Sequence, residues 1–266
     1  MIWLAALVTL AILAFIIVYV LWQGVPQLSL RFLTGEPTDM GRAGGIGPMI
    51  VSTALLSLLA VLLATPIGVA TAIYLTEYTR ENWATRLIRF GTEALAGVPS
   101  IIFGLFGFVF FVIYLGLGWS VLSGSLTLAI MILPTIVRTA EEAILTVPRS
   151  YREVSFSLGA TRWQMVTTVV IPGALPGIIT GVVLGLGRTV GETAAVILTA
   201  GAALHLPKSL FSPARSMAVH FYILAREGIS DPNAWATGAV LVIVVLVINV
   251  IISRSVVTLL RRRTVR

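Results

Sequence analysis

Two arginines and the carboxylates near them are the groups in this 266-residue chain whose positions need explaining. Arg188 falls in the apolar run Pro172 to Ala200, and Arg138 in the run Ser125 to Leu145. A charge at the centre of a membrane helix costs about 2.5–3.5 kcal/mol even on the lenient insertion scale. Counted from Pro172, Arg188 lies about 24 Å along a helix axis, at or just past the middle of an apolar layer. Glu192 follows at i+4, so the two share a helix face. Glu141 and Glu142 follow Arg138. A guanidinium is a planar fork of donors that matches a tetrahedral oxyanion, so the chemistry these residues suggest is anion handling. Glu192 would keep the arginine from holding its anion too tightly, because an ion in transit must also leave. Two structural readings compete: Arg188 and Glu192 as a simple ion pair, and Arg138 snorkelling to the interface.

Other chemistries have little material. The chain has no cysteine, and its only histidines are His205 and His220. Disulfides, thiol catalysis and Cys- or His-rich metal sites are excluded. A phosphate-binding G-x-x-x-x-G-K-[ST] loop is absent from the sequence, and the single lysine, Lys208, falls in a loop assigned to the outer side. An intramembrane enzyme would have only Glu141, Glu142, Glu192 and the two histidines as acid–base groups, with no H-E-x-x-H or G-x-S-x-G motif.

The elements that must hold these residues are membrane helices. Hydrophobic residues make up 58% of the chain and charged residues 11%, with mean hydropathy +1.01. Soluble domains are about 45–50% apolar and about 25% charged. The net charge of +7 is spread between apolar runs, which fits loops at an anionic membrane surface better than a nucleic-acid patch. Six runs reach the length of about 20 residues that a spanning helix needs. They are Met1 to Trp22, Pro48 to Leu75, Ala94 to Leu117, Ser125 to Leu145, Pro172 to Ala200, and Trp235 to Leu260. The first has no preceding basic residue and no A-x-A site after it, so it reads as a retained helix and not a signal peptide. Eleven basic residues fall on one side of this arrangement and 5 on the other. The richer side carries both termini, the loop between spans four and five and the Arg261 to Arg263 cluster, so it is expected in the cytoplasm. Gly173, Gly177, Gly181 and Gly185 form a small-residue stripe that predicts close approach of another helix. Pro66, Pro99 and Pro134 lie in or at the ends of other spans, where neighbours must absorb the lost hydrogen bonds.

The loop between spans four and five is the most specific feature. Tyr151, Val154 and Leu158 follow helical spacing, and Gly159 supplies a stop. Such a short amphipathic helix could lie on the membrane or dock in a partner's groove. Its residues resemble the E-A-A motif of ABC-importer permeases. Glu153, Val154 and Ser155 stand at the E-A-A positions, and Gly159 follows after three residues. Nine more lead to Val169, with Ile171 and Pro172 at the L-P positions. The resemblance implies that about Ser150 to Arg162 is a coupling helix held in a cleft of an ATP-binding subunit, with Glu153 and Gly159 the direct matches.

Further stretches resemble the PstA type of phosphate-importer permease: Gly44 to Thr53, Pro66 to Ala70, Ala96 to Ile101, Leu133 to Arg138, Gly187 to Ala194 and Ala218 to Gly228. The implied fold is an all-α polytopic membrane bundle of six transmembrane helices, the type I ABC-importer (MetI-like) permease. Residues 1–40 would be an N-terminal transmembrane helix and external linker, and residues 41–266 the transporter domain. The resemblance also implies that Arg138, Arg188 and Glu192 line the substrate path, and that Tyr151, Glu153, Val154, Leu158 and Gly159 carry the coupling. The chain would be non-catalytic and bind no cofactor itself, with ATP-Mg on the partner ATPase. Its implied partners are a PstC-like permease, a dimer of a PstB-like ATP-binding subunit, a PstS-like phosphate-binding protein and membrane lipid, with no nucleic acid. The implied location is a bacterial or archaeal plasma membrane. A permease for molybdate, sulfate or phosphonate is the nearest alternative, and a secondary transporter a more distant one.

Overall fold

The computed structural model describes the backbone of residues 2–264 and the side chains of residues 3–250. The basic tail Arg254 to Arg266 therefore lies outside the described side chains.

The chain is a bundle of helices with one small hairpin. Helix α1 (Ile2–Gly24) is apolar on all sides, with its outward face bare. A short connector follows, containing α2 (Leu30–Thr34) and the two-residue strands β1 (Pro37–Thr38) and β2 (Ala43–Gly44), paired antiparallel. Helix α3 (Gly47–Ile73) continues through a π-helical turn to Tyr78. The third span differs from the apolar run that predicts it. An amphipathic helix α4 (Trp83–Ala96) comes first, and the chain then bends by 103° into α5 (Ser100–Gly107), prolonged by a π-helical stretch to Tyr114. Gly97 and Pro99 lie at the bend. Proline disfavours a helical residue before it, so the run beginning at Ala94 cannot stay straight.

Helix α6 (Val121–Leu145) is the central post, and two thirds of its most apolar stretch is buried. Helix α7 (Arg149–Ser157) is the short loop helix. The fifth span again departs from its apolar run. It starts ten residues before Pro172, as α8 (Arg162–Met165), passes through a π-helical turn (Val166–Val170), and continues as α9 (Ile171–Val190). A capping box between Thr161 and Gln164 sets this early start. The π turn just before Pro172 accommodates the N–H that proline lacks. The span also stops early, and Ala194–Thr199 is a separate helix α10. Helix α11 (Met217–Arg226) packs inside the connection between α10 and α12, and α12 (Asp231–Thr264) closes the bundle beside α1.

Among the described residues five helices are long and apolar enough to cross a membrane, and the bent α4–α5 pair passes the same test of length and composition only when taken together. Pro66 lies inside α3, Pro134 inside α6, and Pro99 caps α5, as the sequence predicts. The glycine stripe also performs as expected. Side chains added at Gly173, Gly177, Gly181 and Gly185 would meet Val147, just past the end of α6, and then Ala143, Thr139 and Ile132 of α6 in turn. The stripe therefore seats α9 antiparallel against α6, and even a methyl group at Gly177 would come within 2.5 Å of Ala143.

Candidate coupling helix and anion path

Helix α7, the expected coupling helix, is anchored by a residue that the spacing rules overlook. Arg152 points inward from α7 and is only 16% exposed. Its Nε and Nη2 donate to Glu77 Oε1 at 3.0 and 2.8 Å, and Glu77 is 7% exposed. Its Nη1 donates to the Val147 carbonyl and its Nη2 to the Ile144 carbonyl. One guanidinium thus joins the end of α3, the end of α6 and α7. Cations suit the C-terminal carbonyls of a helix, which carry the negative end of its dipole. Arg162, at the start of α8, donates to the Glu77 carbonyl and lies over the Tyr78 ring. The apolar packing beneath is Ala72, Ile144, Val147, Met165 and Val166. Ser155, at the third position of the motif, is buried where a small side chain fits. No local spacing marks Arg152, because its partner Glu77 lies 75 residues earlier in the chain.

The opposite face of α7 has no covering. Tyr151, Glu153, Val154 and Leu158 are all exposed, Leu158 at 82%. Beside them lies a hollow of about 350 Å³ between Thr76, Leu145, Arg149 and Phe156. Gly159 ends the helix with φ of +82°, a left-handed conformation in which other residues are strained. Its N–H reaches the Phe156 carbonyl at 2.9 Å, and the Ala160 N–H reaches the Ser155 carbonyl at 3.1 Å. This is a Schellman stop. A side chain at Gly159 would have open space around it, so backbone conformation alone requires glycine here.

The expected anion path is changed in detail. Arg188 is in the last turn of α9, half-buried. With the helix starting at Arg162, Arg188 lies about 39 Å along it, beyond the ~30 Å of a hydrocarbon core. It is at the end of a span and not at its midpoint. Glu192 is not on the same helix. The turn at Gly191 intervenes, and Glu192 Oε1 accepts from the Ala195 N–H at 3.2 Å, capping α10. Among the described residues Arg188 makes no ion pair, so the Arg188–Glu192 bridge does not form. Its charge instead lies at the favourable end of the α9 dipole.

Arg138 is exposed and pairs with Glu142 one turn later, Nε to Oε1 at 3.1 Å. Glu141 pairs with Arg89 of α4 at 2.7 Å. The α6–α9 register places Arg188 opposite about Ala129, so Arg138 and Arg188 are separated by roughly 14 Å along the axis. They mark two levels of one bundle and do not form one cluster.

A second buried cation lies in the connection between α10 and α12. Arg215 is 6% exposed, its Nε donates to the Ala202 carbonyl at 2.8 Å, and its Nη1 lies 3.3 Å from His220 Nδ1. His220 is buried on α11, and burial together with the Arg215 charge pushes its pKa down to about 4. The imidazole is neutral and can accept from the guanidinium. Position in the sequence marks His220 as a loop or interface residue, and the fold has enclosed it.

Comparison with known proteins fits this geometry. Residues 64–265 match the family model described as the binding-protein-dependent transport system inner membrane component. The probable ABC transporter permease protein YqgI of Bacillus subtilis is 38% identical over 92% of this chain and 89% of its own length. The phosphate transport system permease protein PstA of Pasteurella multocida is 32% identical over 90% of this chain and 85% of its own. Among solved structures, a bacterial alginate ABC transporter superposes with a TM-score of 0.67 at 18% identity, over 94% of this chain and 92% of that chain. The MetNI methionine transporter superposes with a TM-score of 0.65 at 21% identity, over 78% and 93%. Those two likenesses establish the fold, and the exposed, clamped α7 falls inside the matched region. The chain belongs to the family of binding-protein-dependent transport system inner membrane components, as a permease subunit of an ABC importer that works with a partner ATPase and a substrate-binding protein.

Proposed function

We propose that this chain is the PstA-type membrane subunit of an ATP-driven importer of inorganic phosphate. The observation that carries the reading is Arg188, a guanidinium at the end of a span with no anion paired to it among the described residues. It is supported by the PstA likeness over most of the chain. A PstC-like permease completes the path, a PstB-like pair of subunits holds ATP-Mg, and a PstS-like protein delivers phosphate. This chain holds no nucleotide and hydrolyses none. Both termini and α7 face the cytoplasm, in keeping with the surplus of basic residues on that side.

The mechanism follows from the two levels of charge. Phosphate reaches the mouth between the two permeases and meets Arg188, whose donors replace part of its hydration shell. Closure of the ATPase pair moves α7, whose bare face Tyr151, Val154 and Leu158 fits the ATPase cleft beside Glu153. Arg152 carries that motion to the ends of α3 and α6 together. The rearranged spans pass the ion towards Arg138, where Glu142 competes for the guanidinium and weakens its hold. Both access states must lie within a few kcal/mol for ATP to bias them.

Uptake of radiolabelled phosphate into vesicles containing all partners tests the reading. Phosphate uptake that needs ATP, and that excess unlabelled sulfate does not reduce, is the expected result. Equal transport of sulfate would remove the phosphate assignment, and uptake without the ATPase would remove the coupling.

A further inference from the structure

Helix α4 is built the wrong way round for a soluble surface. Its polar side turns towards the protein: Thr85 is buried, and Arg89 reaches Glu141 of α6 at 2.7 Å. Its apolar side turns outward, and Trp83 and Phe90 are 78% and 67% exposed, with Leu87 between them. These three lie at i, i+4 and i+7, one stripe on a helix. A helix packed by its polar face and bare on its apolar face has another apolar medium beside it.

The span that follows says which medium. From Ser100 to Tyr114 it has only 15 residues. At ~1.5 Å per residue this reaches about 22 Å, some 8 Å short of a ~30 Å hydrocarbon core. The bend of 103° sets α4 almost at right angles to that span. If the span runs across the bilayer, α4 lies in its plane, and the shortfall places it below the surface and not on top. Helices that lie in the interface bury their apolar face about 5–10 Å into the boundary between headgroups and acyl chains, the same depth. The side is fixed by α3, which enters α4 from the Glu77 end that Arg152 ties to α7. Arg80 and Arg86 are exposed at the start of α4, within reach of lipid phosphates.

We infer that α4 is an in-plane helix set into the leaflet on the coupling side, with Trp83, Leu87 and Phe90 against lipid acyl chains and Arg80 and Arg86 at the headgroups. This surface is separate from the substrate assignment and stands whether or not the cargo is phosphate.

The chain has no cysteine, which makes site-directed spin labelling clean. Leu87→Cys, Phe90→Cys and Glu93→Cys, each at an exposed position, are labelled with a nitroxide in the full complex. The complex is then reconstituted in phosphatidylethanolamine–phosphatidylglycerol vesicles, with the wild-type complex as blank. Labels at 87 and 90 are expected to be relaxed more by oxygen than by a water-soluble nickel chelate, at a depth of about 5–10 Å below the phosphates. The label at 93 should show the reverse preference. Nickel access at 87 and 90 equal to that at 93 would overturn the inference. So would exclusion of both reagents from 87 and 90, which would mean that a protein partner covers the stripe.

Discussion

Arg152 and Arg188 stand at opposite ends of the bundle, and their surroundings could hardly differ more. Arg152 is held by a carboxylate and two helix-end carbonyls. Arg188 has a helix dipole behind it and, among the described residues, no carboxylate paired to it. Desolvated charge is costly unless it is paired. A fully partnered arginine is spent on structure and can transmit force. An unpartnered one at the end of a span is left with donors to offer a passing anion. On the proposed function, the difference separates a mechanical end from a chemical end.

The comparison breaks first if Arg152 can be lost without harm. Removing one member of a buried pair typically costs about 3–5 kcal/mol. Arg152→Ala and Glu77→Ala should each lower the thermal midpoint of the purified complex sharply and abolish uptake. The double variant should be no worse than the worse single one. Additive losses would show that the two do not act as a unit.

Arg215 and His220 give a pH test of a third charged cluster. The unfolded imidazole takes up its proton near pH 6.5, whereas the folded one resists until about pH 4. Stability is therefore complete above pH 6.5, falls as the pH drops towards 4, and changes no further below that from this group. The total loss is on the order of 3 kcal/mol. Denaturant titrations at pH 7 and pH 4 should show it, and His220→Gln should flatten the difference.

Arg188→Gln sharpens the comparison in the other direction. With no protein partner to strand, it should leave the unfolding midpoint within about 1 kcal/mol of the parent. Phosphate uptake should fall roughly ten- to a hundredfold, equivalent to about 1.4–2.7 kcal/mol. A large stability loss with normal uptake would make Arg188 a structural residue. Gly159→Val should cost about 1–2 kcal/mol through the left-handed backbone alone and uncouple ATP hydrolysis from uptake. The smallest effect is expected for Glu192→Gln, which keeps the oxygen that caps α10. Its unfolding midpoint should move by a few tenths of a kcal/mol.

The sequence made much of this legible, and the misses have physical causes. Apolar runs report burial in lipid, so five of the expected spans and the glycine seam of α9 were visible, while the third came out as a bent pair. Runs do not report where hydrogen bonding starts and stops. The Thr161–Gln164 box lies outside the apolar run, so α8 and α9 began earlier than hydropathy suggested. The stop at Gly191 fell inside the run, so Glu192 looked like a helical neighbour of Arg188 although the helix had ended. The bare face of α7 and its glycine stop were readable, because both are local. The Arg152–Glu77 clamp joins residues 75 positions apart, and no local pattern announces a pair brought together by the fold.

The most direct test of the coupling account is Leu158→Glu, at a side chain that is 82% exposed and has nothing to lose within this chain. ATP hydrolysis and phosphate uptake would be measured together in one vesicle preparation, with the amount of ATPase retained on the permease. The account predicts normal insertion and thermal stability of the membrane subunit, with the ATPase released and uptake gone. Undiminished uptake with the ATPase still bound would contradict it.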